Sequence, residues 1–325
     1  MKNVAAALTI SAASAALAAV AYAAELPTWA YPVNPPGGAG QGAQAAAQDK
    51  TLYEVPDSTV KLTRAQIGGR PVVPDWHPND HPPMPDIVAK GRGNEVRACG
   101  FCHQPSGVGR PENAALTGLT PEYIRQQVLA FRNGERQGSE PKRVPQNLMI
   151  AVAKAVSDAE LAQAAVYFSE LKAKSFVKVV EAAMVPKTTV AGGMVVKTHE
   201  GGMEPIGNRL IEVPDDFERA ENRDPRTTYT AYVPPGTLAK GQALVTTGGN
   251  GATIACGVCH GADLKGVADI PTIAGRSPSY IIRQLYDIQN GTRSGAQTAL
   301  MKQVVAKMTI EDMIAVAAYA ASKEP

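Results

Sequence analysis

Cys99-Gly100-Phe101-Cys102-His103 and Cys256-Gly257-Val258-Cys259-His260 contain all four cysteines of the 325-residue chain, and both follow one spacing, C-x-x-C-H. That spacing is the attachment pattern of c-type haem. Two thiols three residues apart lie on one face of a helical turn, where both can add to the two vinyl groups of one porphyrin. The histidine that follows then presents a ring nitrogen to the iron. Four cysteines in an exported protein could instead form two disulfides, and a lone C-x-x-C could be a thioredoxin-like redox pair. Neither accounts for a histidine directly after each pair. A zinc ribbon needs its pairs about 15–20 residues apart, whereas 153 residues separate Cys102 from Cys256.

The two motifs head an internal repeat. With His103 laid on His260, identities follow without gaps at Gly109/Gly266, Gly118/Gly275, Pro121/Pro278, Tyr123/Tyr280, Ile124/Ile281, Gln127/Gln284, Asn133/Asn290, Gly134/Gly291 and Arg136/Arg293. Thr120-Pro121 and Ser277-Pro278 read as helix starts, a hydroxyl N-cap followed by proline at the first helical position. Each helix is expected to run about three turns to its Asn-Gly pair. After a five-residue length difference, Leu148-Met149 falls on Leu300-Met301. Eight residues past each methionine stands a capping box, Ser157-x-x-Glu160 and Thr309-x-x-Asp312. The closing helices carry apolar stripes at helical spacing, Leu161, Ala165, Phe168 and Leu171 in one copy and Met313, Ala317 and Ala320 in the other.

On these residues each copy resembles a class I cytochrome c domain, and the pair resembles the two-domain dihaem cytochromes of the c-four type. The resemblance covers about residues 85–172 and 236–323, and Ala255 to Ala274 carry it most specifically. It implies a mainly α fold of two tandem cytochrome c domains, each wrapped around one covalently bound haem c, with His/Met ligation and electron transfer. The expected organisation is a signal peptide at 1–23, a Pro/Gly-rich segment at 24–84, cytochrome c domain 1 at 85–172, a linker at 173–235 and domain 2 at 236–325. Within the linker, Phe176 to Val185 and Met194 to His199 alternate and are β-branched, with Gly192-Gly193 as a turn, so short β segments are expected there.

The expected haem attachment residues are therefore Cys99, Cys102 and His103, and Cys256, Cys259 and His260. His103 and His260 are the expected proximal iron ligands. A ligating histidine gives its other ring proton to a backbone carbonyl, which the resemblance places at Pro271 in the second copy and Ala114 in the first. Met149 and Met301, read as loop residues at matched positions, are the expected sixth ligands. A thioether there raises the potential relative to a second histidine. Met308 and Met313 are the competing sulfurs of the second copy; Met308 aligns with Val156, and Met313 falls on an inward helix stripe. His77, His81 and His199 have no repeat partner and read as ordinary surface residues. Arg136 and Arg293 are candidates either for haem propionates or for capping a loop.

The rest of the chain bounds the location and the partners. Met1-Lys2-Asn3 begins an alanine-rich apolar run that ends at Ala21-Tyr22-Ala23, the layout of a cleaved export signal. No later stretch reaches the ~20 apolar residues of a membrane helix, so a periplasmic mature chain without a transmembrane span is expected. A formal net charge of +2 offers no footprint for nucleic acid. With both irons filled by protein ligands, the expected role is an electron carrier, not an enzyme. Its partners would be redox proteins such as a dehydrogenase, a quinol-oxidising complex or a terminal oxidase. The alternatives are a cytochrome subunit of a periplasmic dehydrogenase complex and a dihaem peroxidase, which would need one open iron.

Overall fold

A computed structural model describes residues 25–35, 49–69 and 72–325; the export signal read at 1–23 lies outside the described residues. The N-terminal segment begins against the far end of the molecule. Ala30 and Tyr31 are buried, the Tyr31 hydroxyl donates to Asp287 at 2.7 Å, and Arg283 donates to the Ala30 carbonyl at 3.0 Å. A short antiparallel pair, β1 (Leu52–Tyr53) and β2 (Leu62–Thr63), leads into the single turn α1 (Arg64–Ile67).

The first cytochrome-like copy consists of α2 (Asp86–Ala89), α3 (Cys99–His103), α4 (Pro121–Arg132), α5 (Val144–Ala155) and α6 (Asp158–Glu170). Thr120 caps α4 by accepting from the Tyr123 amide at 3.1 Å, and α4 ends at Asn133, where its helical pattern stops. Ser157 and Glu160 form the reciprocal capping box that starts α6. Leu161, Ala165 and Phe168 of that helix pack on Ile124, Val128 and Phe131 of α4, as the 3.6-residue stripe requires.

Residues 173–235 hold seven strands and one short helix. They are β3 (Val177–Glu181), β4 (Met184–Pro186), β5 (Thr188–Ala191), β6 (Met194–Lys197), β7 (Met203–Pro205), β8 (Ile211–Pro214), α7 (Phe217–Glu221) and β9 (Tyr229–Val233). The expected strands and the turn at Gly192-Gly193 lie here, and β5 pairs with β6 across that turn. The sheet β3-β9-β8, with β3 parallel to β9, draws the ends of the segment together. Val185, Ile206, Ile211 and Val213 form its own small core.

The second copy follows as α8 (Thr237–Thr247), α9 (Gly257–His260), α10 (Pro278–Gln289), α11 (Ala299–Val305) and α12 (Ile310–Ala321). Helix α12 has a Thr309/Asp312 capping box and buries most of its residues. It crosses α8 so closely at Gly241 that an added Cβ would stand 2.1 Å from the Ala315 carbonyl oxygen. The two copies meet through the loops that follow α4 and α10. Gln137 donates its amide to the Thr292 carbonyl at 2.7 Å and Ser294 donates its amide to Glu135 at 2.6 Å, an antiparallel contact centred on Arg136 and Arg293.

Candidate haem-binding site

Both C-x-x-C-H stretches are short helical turns, so each pair of thiols shares a face. All four cysteines are free and half-buried. Burial pushes the Cys99 thiol up to about 12 and the Cys256 thiol up to about 11. His103 donates from Nδ1 to the Ala114 carbonyl and His260 donates from Nδ1 to the Pro271 carbonyl, both at 2.8 Å. These are the two carbonyls named from the sequence. The bond leaves Nε2 of each ring for another partner, and burial holds both imidazoles below their usual range, in the neutral form that a metal requires.

One continuous cavity runs past both motifs. Its lining includes Cys99, Cys102 and His103 from one copy and Cys256, Cys259 and His260 from the other. Met149, Met301 and Met308 line it too, whereas Met313 lies in the core of the second copy. Met149 and Met301 sit on helices α5 and α11, not on loops as expected: α5 begins five residues before Met149 and α11 two residues before Met301. Met308 aligns with Val156, yet it lines the same cavity. The first copy thus contributes one methionine to the lining and the second two.

Arg136 and Arg293 are buried at the junction of the copies and also line the cavity. Arg136 donates to Gln127 at 2.8 Å, to the Tyr280 hydroxyl at 2.7 Å and to Gln284 at 2.9 Å. Arg293 answers with Gln284 at 3.1 Å, Tyr123 at 3.2 Å and Gln127 at 3.0 Å. Every hydrogen-bond partner in this cluster is neutral; burial together with the neighbouring Arg293 pushes the Arg136 guanidinium down, whereas against burial Tyr123, Tyr280 and Asp287 hold Arg293 up. Two buried like charges without a carboxylate between them are costly unless an anion joins them.

Sequence reasoning passed over Arg143, Arg276 and Arg283, which also line the cavity. The last two stand opposite Leu119 and Gln126 in the repeat, so a search for matched positions misses them. Burial pushes Arg143 down to about 9 and Arg276 to about 10. The Nε atoms of Arg143, Arg276 and Arg293 are buried with no hydrogen-bond partner among the described residues. In all, six arginines line the cavity against two carboxylates, Glu112 and Asp269. Two haems would bring four propionates, so the residues present fit the group in charge as well as in ligand chemistry.

Of the unmatched histidines, His199 is exposed and His81 donates toward Asp75 and the Pro82 carbonyl. His77 departs from the surface role expected of it. It is buried and meets Asp224 at 3.0 Å, far in sequence but adjacent in the fold.

A helical fold with paired C-x-x-C-H turns on one cationic cavity defines the class of c-type cytochromes. The cytochrome c family profile matches residues 238–323. The chain is 36% identical over 70 residues to cytochrome c-554(548) of Halomonas halodenitrificans, covering 21% of this chain and 84% of that protein. Two proteins named thiosulfate dehydrogenase electron acceptor are also similar. The one from Stutzerimonas stutzeri is 42% identical over 83 residues, 25% of this chain and 37% of its own length. The one from Thiomonas intermedia is 26% identical over 232 residues, 70% of this chain and 80% of its own length. A solved thiosulfate dehydrogenase from Marichromatium purpuratum shares the fold at TM-score 0.50 and 24% identity, over 73% of this chain and 39% of that one. The chain belongs to the cytochrome c family and carries two covalently bound haem c groups.

Proposed function

We propose that residues 85–172 and 236–325 are the two haem-carrying domains of a periplasmic electron carrier. Cys99 and Cys102 hold one haem c by thioether bonds, and Cys256 and Cys259 hold the other. His103 and His260, with Met149 and Met301, would be the iron ligands. The observation that carries this reading is the pair of 2.8 Å bonds from His103 and His260 to Ala114 and Pro271. Each bond fixes the tautomer and aims the free nitrogen of the ring, as metal-bound histidines require.

Bound haem iron supplies reversible one-electron chemistry. The chain's residues do the rest. The histidines would orient the group, the methionines would supply sulfur ligands, and the buried arginines would neutralise its propionates. With both faces closed by protein, the chain relays electrons and does not transform a substrate. The names of the two thiosulfate dehydrogenase electron acceptors favour a periplasmic dehydrogenase as donor. They equally suit a dedicated subunit of such a complex. No helix among the described residues is long and apolar enough to cross a membrane, and the export signal at 1–23 supports a periplasmic location.

The choice between Met301 and Met308 is the sharpest test. Met301→Ala is expected to remove the sulfur–iron bond of one haem, lower that haem's potential and admit carbon monoxide. Met308→Leu should leave the spectrum nearly unchanged. Loss of the sulfur-to-iron absorption band on Met308→Leu alone would reassign the ligand and sink the repeat alignment beyond Asn290.

A further inference from the structure

The two C-x-x-C-H turns differ in what lies over them. In the first, Phe101 occupies the variable position of the motif and is only 8% exposed. The Arg223 guanidinium of the 173–235 segment lies 3.9 Å from its ring centroid and Arg97 lies 4.5 Å from it. Arg223 also donates to the Phe101 carbonyl at 3.0 Å. Gly69 approaches from the N-terminal segment so closely that a Cβ there would stand 2.0 Å from the ring. Arg110 is buried beside them and ion-paired with Glu112 at 3.2 Å.

At the same repeat positions the second domain has Ile254 for Arg97, Val258 for Phe101 and Val267 for Arg110, with Ile270 for Asn113. None of these is covered. Val258 is 75% exposed, and Leu300, the partner of Leu148, is 72% exposed. Ile254, Ile270 and Leu300 also line the cavity that passes Cys256 and His260. The patch therefore forms the rim of that cavity.

We propose that this apolar face of the second domain is the docking surface for a soluble redox protein whose own contact face is apolar and close to uncharged. The matching face of the first domain is closed to such a partner by the N-terminal segment and by Arg223. The proposal rests on the reading that Cys256 and Cys259 carry a haem. A contiguous exposed apolar patch marks an interaction site, and two features say what sits on this one. Its position on the rim of the cofactor cavity suits a partner that exchanges electrons, since contact there gives the shortest approach to the group. The charged residues that flank it in sequence are Lys265, Lys302 and Lys307 against Asp263 and Asp269, all exposed. A rim so nearly balanced steers weakly at long range, which matches an uncharged face and not a strongly acidic or basic one. The first domain shows that protein packs well on this part of the fold, because the chain's own segments already do so there.

The test measures binding of a small blue-copper protein with an apolar copper-side face to the haem-loaded full chain. Val258→Glu and Val267→Glu should each weaken binding about tenfold, with little dependence on salt. Both side chains are mostly exposed and neither lines the cavity, so thermal unfolding and the haem spectrum should not change. Backbone amide shifts on titration should cluster at 254–258, 267–270 and 300. Shifts centred on Phe101, or unaltered affinity in both variants, would overturn the proposal. So would sedimentation showing a wild-type dimer that Val258→Glu dissociates, since a second copy would then be the occupant. The haem content of the same samples tests the underlying reading separately. One haem per denatured chain would remove that reading, while the amide shifts would still locate the docking face.

Discussion

The two domains reach the same fold by different supports. The second is held locally: α8 crosses α12 in close contact at Gly241, and α12 is buried along most of its length. In the first, the helix equivalent to α8 is one turn, α2, and cannot cover the closing helix alone. Its cover is brought from elsewhere. Trp76 donates to the Asn222 carbonyl at 2.7 Å, His77 meets Asp224 at 3.0 Å, and Arg226 grips Asp80 at 2.9 Å. A strap from the N-terminal segment is thus tied to a segment about 146 residues away in sequence. The family profile matches 238–323, the copy whose support is local.

The most damaging way to break this comparison is to cut the strap. Asp224 is fully buried between His77 and Arg219, which donates to its other oxygen at 2.8 Å. Leaving a buried polar group without its hydrogen-bond partner costs about 1–3 kcal/mol. His77→Ala should therefore destabilise the first domain by about 3 kcal/mol, while Arg219 still serves the other Asp224 oxygen. Thermal denaturation followed at the two haems should split into two transitions, with the second domain unfolding at its wild-type temperature. A single transition shifted as a whole would mean that the strap supports both domains equally.

The converse variant attacks the local support. Gly241→Val drives two methyl groups into the Ala315 backbone, and forced repacking of this kind costs about 1–3 kcal/mol. Here the second domain should be the one to loosen, seen as earlier amide exchange in α8 and α12 while α6 keeps its protection. Equal loosening of α6 would deny the independence of the two supports.

Much of this was legible in the sequence because it is local. The helix caps at Thr120, Ser157, Ser277 and Thr309 and the β segments near 176–199 follow from spacing over a few residues, and the histidine carbonyl partners from the family resemblance. What was illegible depends on distant contacts. His77 reads as a surface residue until Asp224 is brought beside it. Arg276 and Arg283 have no repeat partner, so their place at the cavity emerges only when the two copies meet. The starts of the helices that carry Met149 and Met301 are weakly marked: Arg143 is not a capping residue, and Thr298 provides no side-chain cap bond.

The smallest expected effect concerns how the 173–235 segment grips the second domain. Glu212 on β8 is buried against the start of α10, where it accepts from the Ser277 hydroxyl at 2.7 Å and from the Ser279 amide at 3.2 Å. Those donors and the nearby Arg283 favour the carboxylate, but burial outweighs them and raises its pKa above the ordinary 4.5. A raised carboxyl binds its proton more tightly in the folded chain than in the unfolded one. Its contribution to stability is therefore fully present below about pH 4.5 and is lost as pH rises through the folded value. Glu212→Gln keeps the shape and removes the titration. Between weakly acidic and neutral pH its unfolding temperature should fall less steeply than that of wild type, ending level with it or about 2–4 °C above it at neutral pH. Should the variant instead be less stable at neutral pH with an unchanged slope, the carboxylate is charged in the fold. Ser277, Ser279 and Arg283 would then outweigh its burial, and the grip on the second domain would be ionic.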